Sequence, residues 1–298
     1  MEQTFISEAL KLEFDLVTSK ITFTPHPEGD LIAMASVQDT LGRHYFLKEI
    51  QQHSLHKGLD SNFELLSNCR FEKLRLVLPV RARQGRFVFL IQGTAFLLFA
   101  FETLIPLDLA TYSHTELLNV ISELHESWTG FQLKGQPMKS YRAWLERGLH
   151  RTEALWGEGL PLIERGKEFL SSRFEELSKP KANIHADLHK NNFFMNSTGH
   201  LTLIDFDSVK YDSILWDFTR VTAMFSRFSE NKIFLNSNSV NELQTFLAAK
   251  GLAVQKADLR FLIARVHLGS LFTQSSVLTP IEITAILKNF ELFVTTEN

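Results

Sequence analysis

One stretch limits the folds open to this chain more than any other. Ile184-His185-Ala186-Asp187-Leu188-His189-Lys190-Asn191-Asn192 is followed shortly by Leu203-Ile204-Asp205-Phe206-Asp207. Asp187, Asn192 and Asp205 thus stand as polar groups in apolar surroundings. Residues 184–189 alternate strictly. In an extended segment Ile184, Ala186 and Leu188 point one way, and His185, Asp187 and His189 the other. Phe193-Phe194-Met195, the turn Asn196-Ser197-Thr198-Gly199 and Leu201-Thr202-Leu203-Ile204 read as a hairpin. If Met195 pairs with His200, Asn192 lies opposite Leu203 and Asp205 sits further along at the same open end. Two hard oxygen ligands for Mg2+ then meet there, and Asp187 is left to receive or orient a hydroxyl proton.

The surroundings of that stretch are ordinary for a globular protein. The chain has 298 residues, 44% hydrophobic and 22% charged, enough for one large domain or two lobes. A formal charge of −3 gives no reason to expect a nucleic-acid partner. Cys69 is the only cysteine, which excludes an intramolecular disulfide and a cysteine-based zinc cluster. Met1-Glu2-Gln3-Thr4 lacks the basic region and apolar core of a signal peptide. The longest apolar run, Ala95 to Phe101, falls far short of the ~20 residues that span a bilayer. The expectation is a cytoplasmic protein without a membrane partner. Nothing in the sequence fixes an oligomeric state.

The first hundred residues read mostly as strands. Leu31 to Val37 and His44 to Lys48 flank the turn Gln38-Asp39-Thr40-Leu41-Gly42; Arg86 to Ile91 and Ala95 to Phe101 flank Gln92-Gly93-Thr94. Residues 61–67 are helix-compatible. After Pro106 the pattern turns helical. Ser113-His114-Thr115-Glu116 has capping-box spacing, with Leu117, Leu118, Val120, Ile121, Leu124 and Trp128 at helical intervals behind it. Further helices are expected over 138–155, 160–178 and 213–228. Ser239-Val240-Asn241-Glu242 and Thr279-Pro280-Ile281-Glu282 read as two more capping boxes. Arg265 and His267 lie on the apolar stretch Phe261 to Phe272. Arg265 there is either a helix-face residue with its head in water or a contact for an anionic or polar ligand.

His185-Ala186-Asp187-Leu188-His189-Lys190-Asn191-Asn192 resembles the His-Gly-Asp-Leu-His-Pro-Gly-Asn loop of the aminoglycoside phosphotransferase and choline kinase group. Ile204-Asp205-Phe206-Asp207 resembles that group's Ile-Asp-Phe/Trp-acid segment, and Trp216-Asp217-Phe218 its later Asp-Leu-Ala position. Leu47-Lys48, Glu64 and Leu124-His125 extend the likeness more weakly over most of the chain. The resemblance implies an α+β, bilobal protein-kinase-like fold. A small N-terminal antiparallel sheet lobe (1–101) would clamp the nucleotide, and a large helical C-terminal lobe (102–298) would carry catalysis and substrate binding. It implies ATP or GTP as donor, Mg2+ as cofactor and a small-molecule hydroxyl as acceptor.

Carried over by residue, Asp187 would be the catalytic base and Asn192 and Asp205 the metal ligands. Lys48 would contact the α- and β-phosphates and pair with Glu64. His185 and Asp217 would brace the loop. Backbone groups of Phe99 to Glu102, Phe99 and Phe101 among them, would meet the adenine. Ala186 stands where the group has Gly, Lys190-Asn191 where it has Pro-Gly, and there is no Gly-x-Gly-x-x-Gly loop. Gly166-Lys167 is not a Walker loop, because Pro161 and Glu168 occupy its first Gly and its Ser/Thr positions. Two other readings stay open: a metal-dependent phosphohydrolase using His185, Asp187, His189 and Asp205, and a nucleotide-binding pseudokinase. The roles of Asp207 and His189 are left unassigned.

Overall fold

The computed structural model describes residues 2–24, 34–50, 56–133, 140–156, 161–225, 227–229, 232–234, 237–274, 288 and 293. The chain divides into two units. One is Met1–Pro106, Leu133–Gly135 and Phe193–Val209; the other is Leu107–Gln132, Gln136–Asn192 and Lys210–Asn298.

The first unit opens with a helix ahead of the first strand named from the sequence, α1 (Gln3–Phe14). Ile6 and Leu10, one turn apart, are fully buried. They join Val37, Leu47, Phe96 and Leu98 of the sheet in one apolar cluster. Burying each side chain is worth about 1.5–3 kcal/mol. The helix stops at Asp15, in the left-handed region at φ 56°, whose N–H returns to the carbonyls of Leu10 and Lys11. Then come β1 (Thr18–Thr24), β2 (Met34–Asp39), β3 (His44–Ile50), α2 (His56–Ser67), β4 (Leu74–Leu76), β5 (Val88–Ile91), β6 (Thr94–Ala100) and β7 (Ile105–Pro106). The order β1-β2-β3-β6-β5 makes a five-stranded sheet, antiparallel throughout. The β2–β3 turn is held by buried Asp39, which accepts from the N–H groups of Leu41 (2.9 Å) and Arg43 (2.8 Å). The expected strand start at Leu31 lies outside the described residues.

In the second unit α3 (His114–Ser127) begins at the expected capping box, with Ser113 and Glu116 bonded reciprocally. Next come α4 (Tyr141–Trp156), α5 (Pro161–Glu168), a π-helical turn at Phe169–Arg173, α6 (Phe174–Leu177) and β8 (Lys181–Ile184). The chain then returns to the first unit. There β9 (Phe193–Met195) and β10 (Leu201–Leu203) form a four-stranded sheet in the order β4-β10-β9-β7. Back in the second unit, β11 (Lys210–Ser213) pairs with β8. It is followed by α7 (Leu215–Met224), β12 (Arg227–Ser229), β13 (Lys232–Phe234), α8 (Ser237–Ala249) and α9 (Lys256–Gln274). Among the described residues no helix is long and apolar enough to cross a membrane.

Four expectations change. The extended segment ends at Ile184, and residues 185–189 form a loop. Ala186 sits there at φ 66°, so the strict alternation does not describe their side chains. The hairpin register is one residue off: Met195 pairs with Leu201, and Phe193 with Leu203. The cause is Asn196, whose side chain accepts from the N–H groups of Thr198 (3.0 Å) and His200 (2.9 Å) and draws His200 into the turn. Ser239 is no cap, because α8 starts at Ser237; Glu242 instead reaches His114 Nδ1 at 2.8 Å. Arg265 does not reach water. It is 4% exposed and lies over the Trp144 ring at 4.1 Å. The box at Thr279 lies outside the described residues.

Candidate active site

In the first unit the sheet presents Lys48 from β3. Its Nζ lies 2.8 Å from Asp205 Oδ1 and 2.8 Å from Asp207 Oδ2. Burial alone would pull the ammonium's pKa down, but Asp207 and Asp205 outweigh it and hold the group above the usual lysine range. Asp205 follows β10 in a left-handed conformation, φ 65°. Asp207 lies in the short 3-10 turn that follows, whose Phe206 is buried. Two carboxylates from one tight turn thus converge on one cationic centre.

The expected Lys48–Glu64 pair is not made. Leu59, Phe63 and Leu66 define the buried face of α2, which leaves Glu64 outward, paired with Arg81. Asp60 on the same helix instead accepts from the N–H groups of Phe87 (2.7 Å) and Val88 (2.9 Å). Phe99 pairs with Phe46 across the sheet. Phe101 is exposed, but its N–H is given to His44 O at 2.9 Å. Of the backbone expected to meet an adenine, that donor is already used within the sheet.

In the second unit the loop after β8 hangs from one buried carboxylate. Asp217, on α7 and 0% exposed, accepts from His185 N (2.8 Å), Ala186 N (2.8 Å) and His125 Nε2 (2.9 Å). Burial pushes Asp217 up, yet the His125 hydrogen bond, the two nearby histidines and the His185 N–H hold it below the ordinary 3.8. His185 is fully buried, and its Nδ1 lies 3.4 Å from Asp187 N. Asn192 Nδ2 donates to Asp187 O at 2.9 Å, which ties the two ends of the loop through the amide nitrogen and not its oxygen.

Two consequences are measurable. Asp217→Ala removes the acceptor from three buried donors and is expected to destabilise the protein by ~3–5 kcal/mol, read from urea unfolding. Because the folded pKa lies below 3.8, that contribution is present above about pH 4 and is lost as pH falls through the folded value. The difference between wild type and Asp217→Ala should therefore shrink in acid. A non-glycine residue at φ 66° is strained by about 1 kcal/mol or more. Ala186→Gly relieves this against a smaller loss in the unfolded chain. It should leave stability equal or higher by up to ~1 kcal/mol in the same assay.

Asp187 itself is part exposed. Its Oδ1 takes a hydrogen bond from Arg220 Nη1 at 2.9 Å, and His189 Nε2 stands 3.9 Å from its Oδ2. Arg220 is a group that sequence reasoning did not bring to the site, and Asp207 and His189 are groups it left without a role. Arg220 had a signal: it stands three residues after Asp217, one turn along α7, and so on the same face.

The chain and its fold match known proteins. A model described as the phosphotransferase enzyme family matches residues 37–252. Among solved structures, amicoumacin kinase hAmiN in complex with AMP-PNP, Ca2+ and Ami is 16% identical. The match covers 99% of this chain and 93% of that one, with a TM-score of 0.65. The AMP-bound spectinomycin phosphotransferase APH(9)-Ia is 13% identical, with both chains covered at 100% and a TM-score of 0.61. Choline kinase LicA from Streptococcus pneumoniae is 16% identical, with 99% of each chain covered and a TM-score of 0.61. At such identities the likeness shows the fold, an α+β fold of the protein-kinase-like kind. No curated protein matches the sequence.

Proposed function

The chain belongs to the phosphotransferase enzyme family, and from that premise we propose that it moves the γ-phosphate of ATP or GTP to a hydroxyl of a small molecule. One observation carries the reading. Lys48 of the sheet meets the Ile204-Asp205-Phe206-Asp207 segment, 157 residues away in sequence, within hydrogen-bond distance of both acids. That is the equipment for holding nucleotide phosphates beside a divalent ion. Nucleotides or a nucleotide analogue accompany hAmiN and APH(9)-Ia, which supports a nucleotide donor here.

Asp205 in the first unit and Asn192 in the second each carry a hard oxygen of the kind Mg2+ takes. Asp205 and Asp207 already gather about one positive centre, Lys48 Nζ, so the donor set fits a small hard cation. When bound, the ion neutralises charge on the transferred phosphoryl group. The chain's own residues do the rest. Lys48 stays charged and takes phosphate oxygens. Backbone groups of the stretch around Phe99 and Phe101 other than the Phe101 N–H, which His44 O takes, hold the base. Asp187, placed by the Asp217 anchor, orients the acceptor hydroxyl or takes its proton. His185 and Asp217 keep the loop in shape. The single Cys69 fits a reducing compartment, the cytoplasm.

The test is ADP or GDP formation in a screen over alcohols, amino alcohols, sugars and antibiotics with Mg2+ present. Turnover that requires one of these acceptors supports the reading. Nucleotide hydrolysis indifferent to every acceptor contradicts it.

A further inference from the structure

Helix α4 carries Trp144, Arg147, Gly148 and Arg151 on one face, by their three- and four-residue spacing. The guanidinium of Arg265, from α9, lies on that face. A Cβ added at Gly148 would come within 1.9 Å of three of its atoms, so only glycine admits it. Arg265 donates from Nη2 to Trp144 O at 3.0 Å, a neutral acceptor. Its Nε and Nη1 are buried and have no hydrogen-bond partner among the described residues. Burial pulls the group down to about 10, and the nearby Arg220, Arg147 and Arg151 add to the effect. A buried guanidinium with two unmatched donors, crowded by others of its kind, is costly to fold. The cation–π contact recovers part of that cost.

The cluster reaches the catalytic loop. Arg220 also lies at the Trp144 ring, 5.9 Å from its centroid, and the same guanidinium holds Asp187. The neighbouring aromatic face is taken as well, with Lys210 Nζ 3.5 Å over Trp216. Cationic acceptors are recognised by open aromatic faces or carboxylates, and here those faces already carry the chain's own cations. Paired guanidinium forks suit a carboxylate or a phosphate.

We propose that Arg265 and Arg220 form an anion subsite beside Asp187, and that the acceptor is a hydroxyl compound bearing a carboxylate or phosphate. This rests on Asp187 being the acceptor-orienting group. The anion takes the Arg265 donors and shares Arg220 with Asp187, so the hydroxyl on the same molecule is brought to the Asp187 carboxylate. Arg147 and Arg151, exposed residues of the same α4 face, add attraction.

The test uses the full chain with Mg2+ and ATP and matched acceptors: glycerate and glycerol 3-phosphate against glycerol, gluconate against glucose, and choline and kanamycin as the cationic arm. The expected result is a kcat/KM for one anionic member at least about 100-fold above its uncharged counterpart. Which member wins separates carboxylate from phosphate. Arg265→Gln should raise that acceptor's KM roughly tenfold or more, with the KM for ATP within about twofold. If Arg265→Gln does not fold, Arg147→Gln and Arg151→Gln, both exposed, should each raise it by about threefold. Preference for the neutral or cationic arm, or an anionic acceptor's KM unmoved by every arginine variant, overturns the proposal. Calorimetry with the same anions separates the two readings. Anion binding that Arg265→Gln abolishes, without phosphate transfer, supports the subsite and sinks the kinase reading. Transfer to neutral alcohols without anion binding does the reverse.

Discussion

Asp187→Asn is expected to lower turnover by roughly two to four orders of magnitude, the range for losing a general base, while nucleotide binding survives. The substitution keeps the side chain's size, and the amide oxygen can still take the Arg220 hydrogen bond now made at 2.9 Å. What disappears is the negative charge that draws an acceptor hydroxyl and its proton. The loop should keep its shape, because its anchors are elsewhere: the N–H groups of His185 and Ala186 are held by Asp217, and Asn192 binds the Asp187 carbonyl rather than its carboxylate. The measurement is single-turnover phosphate transfer beside nucleotide affinity. Near-normal transfer by a folded Asp187→Asn protein removes Asp187 from the mechanism.

Asp205→Ala should weaken Mg2+-dependent nucleotide binding by more than about 100-fold, above the range seen when an outer partner of a metal ligand is lost. Lys48 contacts Asp205 and Asp207 at equal distances, so lysine pairing alone does not separate the two acids. The metal does. With Asp205→Ala, raising Mg2+ should not restore nucleotide binding. With Asp207→Ala, Mg2+ dependence should persist and the loss should resemble that of Lys48→Ala. The opposite pattern would exchange the two roles.

The parts legible in the sequence were those written in local chemistry. The capping box at Ser113, the turns at Asp39–Gly42 and Gln92–Gly93, and the hairpin after Asn192 all depend on residues within a few positions of each other. What was missed depends on contacts far apart in the chain. Helix α1 was hidden because Ile6 and Leu10 find their partners in the sheet, and a short apolar run alone does not separate helix from strand. The hairpin slipped by one residue because Asn196's side chain, not the count of turn residues, sets its length.

Glu64 matched its expected position in the sequence, yet the buried face of α2 turns it toward Arg81. The sequence left Arg265 open between a water-facing head and a ligand contact because nothing nearby in sequence announces Trp144 and Gly148, which lie more than a hundred positions earlier and make room for it. In the loop after β8 the residue types were readable and the backbone was not. Ala186 at φ 66° breaks the extended alternation that the pattern of the sequence suggests.

The most direct measurement follows the labelled γ-phosphate of ATP. With Mg2+ and an acceptor found in the screen, the label should appear on the acceptor's hydroxyl in a one-to-one ratio with the ADP formed. Transfer should stop on chelation of the metal and fall by roughly two to four orders of magnitude in Asp187→Asn. Label appearing instead as inorganic phosphate at the rate of ADP formation, whether or not acceptor is present, would contradict phosphotransfer to a small molecule and make the site a hydrolase.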